Sequence, residues 1–191
     1  MPMPVKVTPT EIPDVLVIET GAVRDDRGYF AEIHSTKMLE ASGFRATFVQ
    51  DNLSRSREGT LRGLHYQLEP HGMGKYVRVL VGAVFDVAVD IRRGSPTYGK
   101  WVGRTLTAEN RQALWVPTGF AHGFLALEED TLVLYKCTAT HTPEAERAIH
   151  FGDPAIGIEW PRQPALVAAK DAAAPVFSMA EHNFDYGAPR G

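Results

Sequence analysis

Short runs of β-branched and aromatic residues, separated by turn-forming residues, recur along almost the whole chain of 191 residues. Runs of this kind, bounded by Gly, Pro, Asp or Ser, predict β-strands. The predicted strands are 15–19, 28–33, 46–52, 60–67, 76–81, 84–91, 101–106, 113–116, 123–127 and 132–138. Because parallel strands need long crossover connections, closely spaced strands with little helix favour an antiparallel sandwich or barrel.

The residues between these runs refine the prediction. Gly82-Ala83 lies between two of the predicted strands and indicates a hairpin turn. A helix over 37–42, stopped by Gly43, and a short Ala-rich helix over 168–174 are the only helical segments expected. The length suits a single domain, predicted to span 1–191 with its core from about 14 to 176.

Charge and cysteine content exclude several functional classes. The net charge of −3 lacks the basic footprint that nucleic-acid or membrane-surface binding requires. No apolar run approaches the ~20 residues that span a bilayer, and residues 1–13 do not resemble a signal peptide. The single cysteine, Cys137, is predicted to be a buried strand residue and fits a reducing compartment. We therefore expect a cytoplasmic protein with neither nucleic acid nor membrane as partner.

The strand from Leu61 to Gln67 carries the residues most suggestive of chemistry. His65 can take up a proton near neutral pH, Arg62 can grip a phosphate, and Lys75 can hold a forming oxyanion. Strict alternation puts Gly63 on the face of His65 and Arg62 on the opposite face. Gly63 would then leave space for a ligand beside His65.

A metal site is the first alternative, since His65, His71 and His122 all fall within predicted strands or their turns. Metal-binding barrels of the cupin type usually carry two histidines one residue apart on a strand. Here Gln67 and Gly63 flank His65 at those positions. One histidine per motif is thin ligation for zinc or iron, so a metal-free site without a cofactor is predicted.

Four further polar residues have two interpretations each. Asp86 and Asp90 lie inside an apolar strand, where a carboxylate is costly to bury unless it is paired. They either line the barrel interior and hold polar groups, or pair with arginines such as Arg92. Taken alone, Tyr135 is predicted to pack in the core, and Asp171 to be a solvated helix charge.

Several motifs then occur together in order. They are Asp26–Glu32, Gln50–Ser56, Leu61–Gln67, Gly74–Val79, Asp86–Arg92, Ser95–Gly99, Pro117–Phe124 and Tyr135–Thr138. With this set, from about residue 18 to residue 175, the chain resembles the dTDP-4-dehydrorhamnose 3,5-epimerase family. The resemblance implies an all-β, cupin-type antiparallel jelly roll with a few short helices. It also implies a homodimer and metal-independent chemistry on a dTDP-linked 4-keto-6-deoxyhexose.

The resemblance also assigns roles. It makes His65 the base, held by Asp171, makes Tyr135 the acid on the other face of the sugar, and gives Lys75 the enolate oxygen. The residues implied to bind substrate are Arg27, Phe30, Glu32, Gln50, Asn52, Arg62, His122, His141, Glu146 and Lys170.

Two positions depart from the family pattern. Ala139-Thr140-His141 replaces the usual Asp-Tyr-Tyr, so His141 stands where a tyrosine stacks on thymine. Leu53 replaces a histidine. Inversion at both C3 and C5 is the leading prediction, and inversion at only one of these carbons is the alternative. A cupin metalloenzyme and a non-catalytic sugar-nucleotide binding module are the competing classes.

Overall fold

The computed structural model describes residues 5–187 and contains, within them, fourteen short strands, two short α-helices and two single-turn 3-10 helices. The strands are β1 Val5–Pro9, β2 Leu16–Thr20, β3 Val23–Asp25, β4 Gly28–Phe30, β5 Gln50–Ser56, β6 Thr60–Gln67, β7 Lys75–Val81, β8 Ala83–Asp90, β9 Trp101–Thr107, β10 Gln112–Val116, β11 Phe120–Ala126, β12 Thr131–Cys137, β13 Glu146–Ala148 and β14 Leu166–Val167. The helices are α1 Thr36–Ala41 and α2 Ala169–Ala172. Within residues 5–187, no helix has both the length and the apolar character needed to span a bilayer.

Two sheets face each other. The first has the order β1-β2-β10-β7-β12-β5, and the second has the order β13-β6-β11-β8-β9 with β14 added beside β6. All pairings within them are antiparallel except that of β14 with β6. The all-β, cupin-like jelly roll predicted from the sequence is confirmed.

Alternation along the strands produces the core between the sheets. Val77 and Leu114 from the first sheet pack with Val84, Leu106 and Phe124 from the second, and all five are at most 4% exposed. Burial of each such side chain contributes roughly 1.5–3 kcal/mol, so this cluster is a main source of stability. The cluster fills only part of the space between the sheets, and polar residues line the rest.

The outer face of each sheet is covered by a different part of the chain. Helix α1 presses Leu39 onto Tyr76 on the first sheet, together with Phe44 just beyond the helix. The helix stops as predicted, and the amide of Gly43 donates to the carbonyl of Glu40. On the second sheet, Phe184 belongs to the cluster that covers the outward side chains of β6, β8 and β11.

The predicted hairpin at Gly82-Ala83 is wrong. Strand β7 pairs with β10 and β12 in the first sheet, whereas β8 pairs with β9 and β11 in the second. Gly82 therefore carries the chain from one sheet to the other. It has φ +77°, and a Cβ there would collide with the side chain of Thr131. A glycine turn permits either geometry, and only the strand partners decide between them.

Several predicted boundaries also moved. The strand predicted over 46–52 forms at Gln50–Ser56, and the one predicted over 28–33 is limited to Gly28–Phe30. Strand β3, which was not predicted, precedes the turn before Gly28 and pairs with β4. Strand β1 was not predicted, and it extends the first sheet beside β2.

Candidate active site

A cavity of ≈ 860 Å³ opens between the sheets, lined by strands β5, β6, β7, β11 and β12 and by helix α2. It brings together side chains from widely separated parts of the sequence. Those that the sequence singled out and that line it are Gln50, Asn52, Arg62, His65, Lys75, His122, Tyr135, His141, Glu146, Lys170 and Asp171. Leu53 lines it as well.

An irregularity in β6 decides which side chains reach the cavity. His122 pairs with His65 and Phe124 pairs with Arg62, so three steps on β6 match two on β11. Residues two apart on β11 share a face, and therefore Arg62 and His65 share one too. The predicted alternation, with Arg62 on the opposite face, is wrong at this point.

Gly63 makes the irregularity possible by letting two backbones approach closely. It has φ +122°, and a Cβ would lie 2.5 Å from the Cα of Gly123. The space predicted to receive a ligand is filled by the neighbouring strand. The same distortion leaves the Gly63 amide free to donate to Asp171 Oδ2 at 3.1 Å.

His65 and Asp171 form a close pair, although 106 residues separate them. His65 Nε2 lies 2.7 Å from Asp171 Oδ1. Burial raises the pKa of this carboxyl, but the hydrogen bond and charge of His65 and the Gly63 amide outweigh burial and lower it. Asp171 is only 2% exposed, so the solvated helix charge expected from its local sequence is wrong.

His122 forms a second pair with Asp86. Its Nε2 lies 3.0 Å from both carboxylate oxygens of Asp86, which is fully buried in β8. Burial lowers the pKa of His122, with Lys75 and His65 adding to that effect and Asp86 opposing it. Of the two interpretations of the buried acids, Asp86 follows the first. Asp90 follows the second, because it accepts hydrogen bonds from Arg92, Ser95 and Thr97 outside the cavity.

Lys75 begins β7 directly beside Cys137 of β12. Burial lowers the pKa of its ammonium group, and Cys137, Asp86 and Glu146 counteract this. The ammonium makes no hydrogen bond to any residue within 5–187, so its protons are available to a ligand in the cavity.

Tyr135 stands on the first sheet, across the cavity from His65 on the second. Burial raises the pKa of its phenol, while Arg62 and a hydrogen bond with Asn52 lower it. The Asn52 amide also contacts Cys137 Sγ at 3.5 Å and accepts from Gln50 Nε2 at 3.0 Å. Tyr135 packs against the core cluster between the sheets, as periodicity predicted, and its hydroxyl is also part of this polar network.

Three polar side chains contact one another at the cavity rim. Glu146 accepts from Lys170 Nζ through Oε1 at 2.9 Å, and its Oε2 lies 3.1 Å from His141 Nε2. The main-chain amide of His141 donates to Gln50 Oε1 at 3.0 Å. The hydrogen bond from Lys170 is the largest cause of the lowered pKa of Glu146. His141, which stands where the family usually has a tyrosine, therefore contacts Gln50 and Glu146, two of the residues implied to bind substrate.

Three implied binding residues lie outside the cavity. Arg27, Phe30 and Glu32 belong to the β3–β4 hairpin and the residues after it, and none of them lines the cavity. Phe30 is 70% exposed, and Arg27 pairs with Asp25.

The three histidines considered for a metal do not converge. His71 is absent from the cavity lining and contacts Thr142 Oγ1 at 3.5 Å. Across residues 5–187, no three His, Cys, Asp or Glu side chains are grouped to hold a metal ion.

One partner in the site was missed from the sequence. Ser56 Oγ accepts from Arg62 Nε at 3.1 Å, and the carbonyl of Arg55 accepts from the same guanidinium at 3.2 Å. The only signal for this contact was alternation, which places Ser56 on the face of Asn52.

Comparison with known proteins identifies the family to which the chain is similar. The family profile described as dTDP-4-dehydrorhamnose 3,5-epimerase matches residues 9–179. The chain is 51% identical over 177 residues to the dTDP-4-dehydrorhamnose 3,5-epimerase of Shigella flexneri, covering 92% of this chain and 98% of that protein.

Two solved structures are similar over nearly the whole fold. One is a dTDP-6-deoxy-D-glucose-3,5-epimerase from Legionella pneumophila in complex with dTDP-4-keto-L-rhamnose. It has 46% identity and a TM-score of 0.88, covering 92% of this chain and 94% of that one. The other is a 3'-monoepimerase from Streptomyces bikiniensis in complex with dTDP-quinovose. It has 33% identity and a TM-score of 0.83, covering 89% of this chain and 87% of that one.

Proposed function

The chain belongs to the dTDP-4-dehydrorhamnose 3,5-epimerase family, and we infer that it inverts C3 and C5 of a dTDP-linked 4-keto-6-deoxyhexose in dTDP-L-rhamnose or related deoxysugar biosynthesis. One observation carries the assignment of the site. His65 and Tyr135 stand on opposite walls of one cavity, so a sugar between them has a base on one face and an acid on the other.

His65 acts as the base. The ketone at C4 acidifies the protons on C3 and C5, and the imidazole removes one of them. Since Nε2 is engaged with Asp171, and no residue within 5–187 hydrogen bonds to Nδ1, Nδ1 is the nitrogen that accepts the proton. The carboxylate of Asp171 fixes the ring and stabilises the imidazolium that forms.

Lys75 and Tyr135 complete the inversion. Removal of the proton moves its bonding electrons into an enolate with negative charge on O4, and the free ammonium of Lys75 donates to that oxygen. Tyr135 then gives its phenol proton to the same carbon from the opposite face, and the ketone re-forms. The raised pKa of Tyr135 keeps the phenol protonated, which this step requires.

The binding residues divide into those at the sugar and those at the nucleotide. We assign His122 and Asn52 to the sugar, because they surround Lys75 and Tyr135. Arg62 suits the diphosphate, since a guanidinium pairs well with phosphate oxygens. Gln50, His141, Glu146 and Lys170 form the bonded rim described above, on the side we assign to the nucleotide.

We propose that the active species is a homodimer. Its support is the hairpin with Arg27, Phe30 and Glu32, which lies outside the cavity of its own chain and exposes Val23, Tyr29 and Phe30. If this hairpin reaches the cavity of a second copy, Arg27, Phe30 and Glu32 contact the substrate there, as the family resemblance implies. A solution mass equal to the 21.0 kDa of one chain would contradict the dimer.

Inversion at both carbons is favoured over inversion at one. The chain is more similar to the two 3,5-epimerases described above, at 46% and 51% identity, than to the 3'-monoepimerase at 33%. We also propose a cytoplasmic location, because the buried, unpaired thiol of Cys137 fits a reducing compartment.

Solvent exchange tests the function directly. We expect the purified protein in D₂O to place deuterium at C3 and at C5 of dTDP-4-keto-6-deoxyglucose. NMR measures the deuterium content at each carbon. Incorporation at one carbon alone would establish the single-site alternative. Absence of exchange at both carbons would reject the epimerase function. A stoichiometric metal whose removal abolishes activity would establish the metalloenzyme instead.

A further inference from the structure

We propose that a second, smaller cavity behind His65 is the route by which this base releases its proton while the sugar is still bound. The proposal rests on the epimerase function above and adds to it a solvent passage separate from the substrate cavity.

The second cavity has a volume of ≈ 240 Å³ and reaches the same catalytic pair from another side. It is lined by His65 and Asp171, by Glu146 and Lys170, and by residues of β13 that include Ala148. The first four of these also line the substrate cavity. The 2.9 Å bond between Lys170 Nζ and Glu146 Oε1 therefore lies in the wall between the two cavities.

A double inversion within one binding event requires that both catalytic groups be reset between the two steps. Each inversion transfers one proton from carbon to His65 and one from Tyr135 to carbon, which leaves an imidazolium and a phenolate. A second inversion by the same two groups must wait until His65 has lost a proton and Tyr135 has regained one. Water can make both exchanges, but a sugar in the main cavity separates the two groups.

His65 lines both cavities, so the second cavity gives water a way to reach it while a sugar fills the first. Its side chain is 24% exposed, whereas its partner Asp171 is 2% exposed. The proton on Nδ1 passes to a water molecule that enters from the second cavity and then to bulk solvent, and the Tyr135 phenolate regains a proton from water. Asp171 holds the remaining proton on Nε2, so the neutral base is restored in its reactive tautomer.

Ala148 offers a way to close the passage without touching the catalytic groups. It lies on β13 opposite His65, and its small side chain lines the second cavity but not the substrate cavity. Ala148→Leu adds bulk to this cavity. Ala148→Ser is the matched control, since it keeps the space open to water at the same backbone position.

The test is a single-encounter experiment in D₂O. Excess enzyme is mixed with isotopically labelled substrate, and an excess of unlabelled substrate is then added to prevent rebinding. The labelled products are sorted into singly and doubly exchanged sugars. We expect the first inversion in Ala148→Leu to stay within about twofold of wild type, and the ratio of doubly to singly exchanged sugar to fall about tenfold, since one proton-transfer step is slowed. Ala148→Ser should match wild type.

A measurement on the wild type guards against a poorly folded variant. The rate of the second inversion should rise with the concentration of a small buffer such as imidazole, and less with a bulky buffer of equal strength. Equal product ratios in the Leu variant and wild type would overturn the proposal, and so would a wild type that releases the singly inverted sugar every time. Absence of exchange in the wild type at both carbons would instead reject the epimerase function.

Discussion

Two histidine–aspartate pairs meet at the cavity from adjacent strands, and they differ mainly in access to water. His65 is 24% exposed at its side chain and is held by Asp171 from a distant helix. His122 is 7% exposed and is held by Asp86 from the next strand of the same sheet. Burial lowers the pKa of His122 and keeps that ring neutral, so it donates and accepts hydrogen bonds without gaining charge. The same two residue types thus suit the proposed base where water reaches them, and a fixed polar contact where it does not.

Substitution of the two histidines should separate the pairs most strongly. We expect His65→Asn to lower exchange at C3 and C5 by about 10³-fold, within the range for loss of a general base. We expect His122→Asn to lower it by about tenfold, the effect of one lost hydrogen bond. Deuterium uptake by NMR measures both variants. Losses of equal size would mean that the two rings share the proton transfer.

The two aspartates give the next largest contrast. The carboxylate of Asp171 accepts from both His65 and the Gly63 amide, and an amide side chain has only one oxygen to offer. We therefore expect Asp171→Asn to lower kcat by about 10²-fold, because the imidazolium loses its charge partner.

Asp86→Asn is the matched comparison, because its histidine stays neutral. We expect its kcat to change by only a few-fold, about the effect of one weakened neutral hydrogen bond. Steady-state kinetics with a separate measurement of nucleotide affinity distinguishes lost chemistry from lost binding. A larger kcat loss in Asp86→Asn than in Asp171→Asn would reverse the assignment of the base.

The pH dependence of the free energy of unfolding should show the smallest difference between the two histidine–aspartate pairs. A histidine with a lowered pKa binds fewer protons folded than unfolded, so His122 costs stability as pH falls below its ordinary value of 6.5. His34 and His182, whose pKa values burial also lowers, act in the same window. Asp171 has a lowered carboxyl pKa, so its contribution is present above its ordinary 3.8 and is lost only as pH falls further.

Urea unfolding across about pH 5 to 7 measures this difference. We expect the free energy of unfolding to decrease toward pH 5, and less steeply in His122→Asn than in wild type, because one group whose pKa differs between the folded and unfolded states is removed. Asp171→Asn should keep the wild-type slope in this range. An unchanged slope in His122→Asn would show that His122 titrates normally in the folded protein.

Much of the fold followed from local sequence. The central strands formed close to their predicted limits, β6 without a shift, because alternating apolar residues and turn residues act over a few positions. The pairing of the strands could not be predicted from local sequence in the same way. Gly82 was expected to close a hairpin and instead joins the two sheets, since a turn residue fixes a local bend but not the strand with which the next segment pairs.

The site shows the same division. The ordered motifs and the chemistry of His65, Lys75 and Tyr135 indicated proton transfer on a nucleotide sugar, and the residues of the motifs sufficed for that conclusion. Only the tertiary structure placed Arg62 beside His65, because the close approach of Gly63 to Gly123 breaks the alternation that a sequence would extrapolate. It also gave the two histidines their different surroundings. Burial depends on every element packed around a residue, and no local pattern contains that information.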